Sequence, residues 1–128
     1  MDIECAEMKD IFRKLTRSPL VPFPARGGRL DAPDHQGVYL IFGRNEEVLH
    51  VGRTIRGSRG LFQRLQNHLD GRSSFVKSYM KPRHKDIRIG HRFRYVEVES
   101  PRMRALLESY ATGMLCPKHL GTGEGRAV

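Results

Sequence analysis

Five side chains of this 128-residue chain are of the types that phosphodiester hydrolysis needs: Tyr39, His50, Arg64, His68 and Glu108. A carboxylate can hold a divalent cation on a phosphate oxygen, and a guanidinium can offset the charge that builds in the transition state. A phenol or a neutral imidazole can orient the attacking water or take its proton. That chemistry works only if the five converge.

Tyr39 and His50 belong to a hairpin. The apolar run GVYLIF (37–42) and the run EVLHVG (47–52) flank GRNE, a turn signal. A turn centred between Arg44 and Asn45 pairs Tyr39 with His50 and Leu40 with Leu49. Opposed residues share a face with Cβ atoms roughly 4.5–5.5 Å apart, so phenol and imidazole should stand side by side. Val38, Leu40, Phe42, Leu49 and Val51 then form the core face. Arg64 and His68 follow at i and i+4 on a helix, GLFQRLQNHLD, flanking its Leu61–Leu65–Leu69 stripe at the rim of the core. Glu108 lies at the edge of the apolar stripe of the last helix, which Ser100 caps and Pro101 opens. All five are expected around one cleft.

The other elements support these. Ile3, Ile11, Phe12 and Leu15 space residues 3–15 as an amphipathic helix, and residues 18–36, with four prolines, form an extended connector. SSFVKSYM reads as a short helix capped by Ser73 or Ser74. DIRIGHRFRYVEVE (86–99) reads as a long third strand, with both faces partly covered or a bulge near Tyr95. The chain thus divides into helix and connector packed on the body (1–36), the body itself (37–120) and a loose tail (121–128). The expected fold is α/β (α+β): a small three-stranded antiparallel sheet flanked by helices.

Charge narrows the partner. Lysine and arginine number 23 against 14 aspartates and glutamates, giving a net charge of +9 and a pI of about 10.2. Most of the cations are arginines, whose planar fork matches a phosphate, so the balance is that of a nucleic-acid binder. Arg53, Arg56 and Arg59 around the loop after the second strand are candidate backbone contacts. So is a stripe of Arg88, Arg92 and Arg94 alternating along the third strand. No apolar run approaches the ~18 residues of a membrane span. Two cysteines and a start without a basic-then-apolar profile make the cytoplasm the expected compartment. RGSRG (56–60) lacks the Gly-Lys-Ser/Thr ending of a phosphate-cradling loop, and Cys116 with His119 lacks a second pair to complete a zinc set.

GVY (37–39), ten residues, HVG (50–52), Arg64 with His68, and the glutamate of LLESYATGMLCPKHL (106–120) together resemble the GIY-YIG nuclease superfamily. The resemblance runs from about Gly37 to Pro117. It implies a three-stranded antiparallel sheet with Gly37 and Gly52 at the motif glycines, and metal-dependent cleavage of DNA. It implies Tyr39 as general base or water-orienting phenol, Arg64 as phosphate clamp and His68 as an aid near the phosphate. Glu108 would be the sole protein ligand of Mg²⁺ or Mn²⁺. The implied partner is DNA, branched or damaged forms included, with RNA left open and the chain a monomer or homodimer. Two positions depart from the pattern: His50 replaces the second motif's tyrosine, and PKHLG stands where the family's asparagine is usual. His50 is expected to share or take the general-base role, because an ordinary imidazole pKa near ~6.5 suits neutral pH better than a phenol's near ~10. The alternative is a non-catalytic nucleic-acid-binding module on the same scaffold, with Glu108 merely paired to Arg104 at i−4.

Overall fold

Asp2 accepts the Glu4 N–H at 3.3 Å and so starts helix α1 (Ile3–Arg17), whose Met8 and Leu15 are buried. Ser100 does the same for α3 (Pro101–Leu115), accepting the Met103 N–H at 3.1 Å with Pro101 in the first turn. Between them the computed structural model, which describes residues 2–56 and 59–120, places β1 (Val21–Pro22), β2 (Gly37–Phe42), β3 (Val48–Arg53) and α2 (Gly60–Leu69). A π-helical turn (Phe75–Met80), a 3₁₀ turn (Lys81–Arg83) and β4 (Arg92–Glu97) complete the order. The strands form one antiparallel sheet ordered β1-β4-β2-β3.

Each face of that sheet has its own apolar layer. Tyr39, Ile41, Leu49 and Phe93 meet Leu61 and Leu65 of α2 and Phe75 and Met80 of the π-helical turn. Val38, Leu40 and Val51 meet Met8 and Leu15 of α1 and Met103, Leu107 and Ala111 of α3. The central strand β2 is therefore buried on both sides, which is why GVYLIF shows no alternation. Each such buried Leu or Phe contributes roughly 1.5–3 kcal/mol.

The architecture agrees with the expected antiparallel sheet and flanking helices but differs in three ways. The sheet has four strands, not three, because the connector supplies β1. Val21 and Pro22 pair with Phe93 and Arg92, the Phe23 N–H donates to the His91 carbonyl at 3.1 Å, and the Phe23 ring packs on Phe93 at 4.9 Å. Pro22 has no N–H to offer a further strand, which suits an edge.

The expected long strand over 86–99 is shorter, and begins at Arg92. Asp86 turns the chain first: its side chain accepts the Arg88 N–H at 2.9 Å, its carbonyl accepts the Ile89 N–H at 3.0 Å, and Gly90 is left-handed at φ +76°. From Arg92 to Glu97 the pairing with β2 is unbroken, so no bulge forms at Tyr95; of the six residues only Phe93 is buried, and the faces of β4 are partly covered.

The hairpin register is also different. Tyr39 lies opposite Gly52, not His50; His50 opposes Ile41, and a bulge between Ile41 and Phe42 sets Phe42 against Val48. Glu46, left-handed at φ 63°, tightens the turn closed by the Gly43 N–H on the Glu47 carbonyl, and Leu49 becomes the extra residue of the bulge. Leu49 consequently joins the Tyr39 face instead of the opposite one.

Candidate active site

β3 is an edge strand, with α2 over one face of the sheet and α3 over the other. A cleft of about 470 Å³ opens along its free edge, lined by His50, Arg53, Arg64, His68, Glu108 and His119 among others. Four of the five expected residues thus border one space, brought there from three elements. The fifth, Tyr39, is fully buried and stands behind His68.

Tyr39, His68 and Ser73 form a hydrogen-bonded chain. The Tyr39 hydroxyl is 2.7 Å from His68 Nε2, and His68 Nδ1 is 2.6 Å from Ser73 Oγ, which also accepts the Val76 N–H at 3.2 Å. Both ring nitrogens of His68 are therefore engaged. His68 is not at the rim of the core, as its helical spacing suggests, but buried in it, 1% exposed. Arg64, one turn earlier, is exposed and faces the cleft. Gly52 makes the chain possible: a Cβ there would overlap the tip of the Tyr39 ring. Gly37 has a similar reason, since a Cβ would overlap the Val96 carbonyl and lie 2.8 Å from Leu61 Cδ1.

His50 stacks on Phe75 (4.9 Å between centroids, 20° between planes) and sets its Nδ1 3.1 Å from Nδ1 of His119. Two neutral imidazoles in that contact share one proton, one donating and the other accepting. After α3, Cys116 adopts a left-handed conformation (φ 48°) and turns the chain back along β3. There the N–H groups of Lys118 and His119 donate to the Val48 and Leu49 carbonyls at 3.2 and 2.9 Å.

Burial sets the protonation states. It holds the His50 imidazole well below its ordinary pKa, with His68, His119 and Arg64 adding to the effect. It pushes His68 down to about 3, and lowers His119 with help from Arg83. The Tyr39 phenol is pushed up by burial, against the pull of Arg64. Three imidazoles and a phenol are thus neutral at pH 7. The expectation that His50 keeps an ordinary imidazole pKa does not survive its burial.

Glu108 has a different setting. It is half-buried, and burial raises its pKa while Arg53 and Arg64 draw it down. Its partner is Arg53, with Nη1 3.4 Å from Oε1. Arg104, the alternative partner at i−4, is instead buried and donates to the carbonyls of Thr54, Ile55, Val98 and Glu99 at 2.8–3.2 Å. It ties the end of β3 to the start of α3, and so fixes the strand that lines the cleft.

A lone carboxylate beside open space suits Mg²⁺ or Mn²⁺, which keep several waters and take one or two carboxylates plus substrate phosphates. It does not suit a closed zinc set: among the described residues no group of three or more His, Cys, Asp or Glu could hold a metal ion.

The candidate backbone-contact arginines scatter. Arg53 lines the cleft and Arg56 is exposed nearby, while Arg59 pairs with Asp34 at 3.6 Å and lies 4.0 Å over the Phe62 ring. Gly57 and Ser58 of RGSRG fall outside the described residues, as does the tail 121–128. Arg88, Arg92 and Arg94 form no stripe. Arg88 precedes β4 and donates to the Pro24 and Ala25 carbonyls at 3.1 and 3.3 Å. Arg92 pairs with Glu46 at 3.6 Å, and Arg94 donates to the Ser18 carbonyl. Opposite Phe42 and Leu40, Arg92 and Arg94 lie on the α1/α3 face, away from Tyr39 and His50.

Ser73 and His119 are the neighbours that sequence reasoning missed, and i−4 spacing reads Arg104 with the wrong partner. Ser73 read only as a helix cap, and His119 only as half of an incomplete metal pair. Neither bond partner is visible until the register and the return of residues 116–119 are known.

No family model matches the chain, and no curated protein matches it. A similar solved structure is the crystal structure of the GIY-YIG N-terminal endonuclease domain of UvrC from Thermotoga maritima bound to its catalytic divalent cation, magnesium. Identity is 24%, the likeness covers 70% of this chain and 86% of that one, and the TM-score is 0.49. Among the described residues no helix is long and apolar enough to cross a membrane.

Proposed function

We propose that the chain is a metal-dependent endonuclease of GIY-YIG type that hydrolyses phosphodiester bonds of DNA. One observation carries the reading: Arg64, Glu108, His50 and His68 converge from α2, α3 and β3 on a single cleft at a sheet edge. Arg64 clamps the phosphate and offsets its charge in the transition state. Glu108 would hold Mg²⁺ or Mn²⁺, which would supply Lewis-acid stabilisation of the phosphate oxygens. Neutral His50 borders the cleft as a hydrogen-bond acceptor that orients the attacking water; because burial disfavours its charged form, a proton taken there is passed across the Nδ1–Nδ1 contact to the less buried His119. Tyr39 and Ser73 fix the His68 ring from both sides, so the phenol positions an imidazole and does not meet the water itself.

The test is incubation of the purified protein with supercoiled plasmid and with branched DNA, in Mg²⁺, in Mn²⁺ and in chelator. Nicking in either metal, absent in chelator, is expected. Binding of both DNAs without nicking under any condition contradicts the proposal and leaves a non-catalytic binding module.

A further inference from the structure

From Gly71 to Lys85 the chain carries five cations, Arg72, Lys77, Lys81, Arg83 and Lys85, and no aspartate or glutamate. All five are exposed, and among the described residues none is in an ion pair. Several cations elsewhere are already engaged, and the segment differs in holding five exposed cations within fifteen residues with no acid among them. Arg53, Arg59, Arg92 and Arg102 pair with carboxylates, and Arg88, Arg94 and Arg104 are spent on backbone carbonyls.

The segment is also rigidly built. Phe75 and Met80 anchor the π-helical turn in the core. The Lys85 N–H donates to the Met80 carbonyl at 3.1 Å, and His84 reverses the chain in a left-handed conformation. Arg83 is held in place: it donates to the Tyr79 carbonyl at 3.0 Å, its guanidinium lies 3.9 Å over the Tyr79 ring, and that ring stacks on Phe75 at 5.7 Å. A cation fixed beforehand loses little side-chain entropy when it binds. This ledge adjoins the cleft, whose lining includes Ser73 and Ser74, and Tyr79 lies 6.2 Å from the cleft residue His119.

We infer that residues 71–85 form the ledge that takes the phosphate backbone of duplex DNA leading into the cleft, with Arg83 as its fixed contact. The inference rests on the endonuclease reading for the identity of the partner. It moves the docking surface from the β4 arginines to the π-helical side of the molecule. Contacts of this kind read no sequence, so the ledge should bind duplexes of any sequence with similar affinity and strong salt dependence.

The experiment measures affinity of the full chain for a fluorescent duplex, in chelator, across a salt series. One variant carries Lys77→Gln, Lys81→Gln, Arg83→Gln and Lys85→Gln; a control removes the same charge from α1 through Lys9→Gln, Arg13→Gln, Lys14→Gln and Arg17→Gln. The ledge variant should bind tenfold or more weakly at about 0.1 M salt, with the slope of log K against log salt reduced by roughly 2–4, since each lost phosphate contact removes ~0.9. The α1 variant should lose less than about threefold, because distant exposed charges are largely screened. Equal weakening of the two, an unchanged ledge variant, or tighter binding to anionic vesicles than to duplex overturns the inference. Circular dichroism checks folding, and if the fourfold variant unfolds, single Arg83→Gln and Lys81→Gln replacements decide, each expected to weaken binding by two- to fivefold. Because no cutting is measured, failure here is separate from failure of the nuclease reading, which the nicking assay alone decides.

Discussion

The two walls of the cleft are built on opposite principles. One wall is charged and partly wet: Arg53, Arg64 and Glu108 project from a strand end and two helices, and their bodies are replaceable without opening the core. The other wall is neutral and dry: Tyr39, His50 and His68 are buried, and His119 closes over them. In the proposed reaction, the charge that acts on a phosphate is kept where water and substrate reach it. Imidazoles that must stay unprotonated are kept where a proton is disfavoured. The first wall can therefore be altered at the expense of activity alone, whereas the second wall is also part of what holds the fold.

Gly52→Ala should hit the neutral wall hardest. The new methyl overlaps the Tyr39 ring, which is walled in by Ile41, Phe93 and α2 and has nowhere to go. Overpacking of this kind destabilises by roughly 1–3 kcal/mol, and displacing the phenol also leaves His68 Nε2 without its partner. Chemical denaturation should show a loss of at least about 2 kcal/mol. A loss below ~0.5 kcal/mol would mean that the glycine is not what admits the ring.

Acid should act on the same wall. His68 has its folded-state pKa near 3, and that of His50 is also well below the unfolded value near ~6.5. The unfolded chain binds those protons first, so stability is full above about pH 6.5 and falls as pH drops toward the folded values. The slope is ~1.4 kcal/mol per pH unit for each such histidine. Denaturant midpoints measured from pH 7.5 down to 4.5 should fall progressively, and His68→Asn should flatten the slope. A midpoint insensitive to pH in that window would show the imidazoles to be solvated.

His119→Phe gives a smaller effect that separates packing from hydrogen bonding. The phenyl ring keeps the contacts with Phe75 and Tyr79 but offers His50 no partner. Stability should fall by about 1 kcal/mol, the low end for an unpaired buried group because His50 borders the cleft, while cutting falls several-fold and His119→Asn, which can still hydrogen-bond, recovers part of it. Unchanged cutting in His119→Phe would remove the imidazole pair from the mechanism.

Much of this was readable in the chain. The apolar run of β2, the stripes of α2 and α3 and the Ser100 cap follow from periodicity and terminal residues alone, and Arg64 and Glu108, read from those stripes, both line the cleft. What could not be read depended on single irregularities. The bulge at Leu49 shifts the register, so that Tyr39 pairs with Gly52 and only a diagonal contact to His50 remains, 6.0 Å between centroids. The Asp86 turn and Gly90 shorten β4 and scatter a stripe that alternation alone makes continuous. Val21 and Pro22 are too short a pair to show as a strand until Phe93 and Arg92 are beside them. His119 meets His50 across 69 residues of sequence, a contact that no local pattern encodes.

The charged wall carries the central claim, and Glu108→Ala tests it most directly. Supercoiled plasmid is incubated with parent and variant in Mg²⁺ or Mn²⁺, with duplex affinity and thermal midpoint measured on the same samples. The account predicts metal-dependent nicking by the parent, a loss of at least ~10²-fold in the variant, and affinity and midpoint nearly unchanged. Nicking by Glu108→Ala at the parent's rate would contradict it.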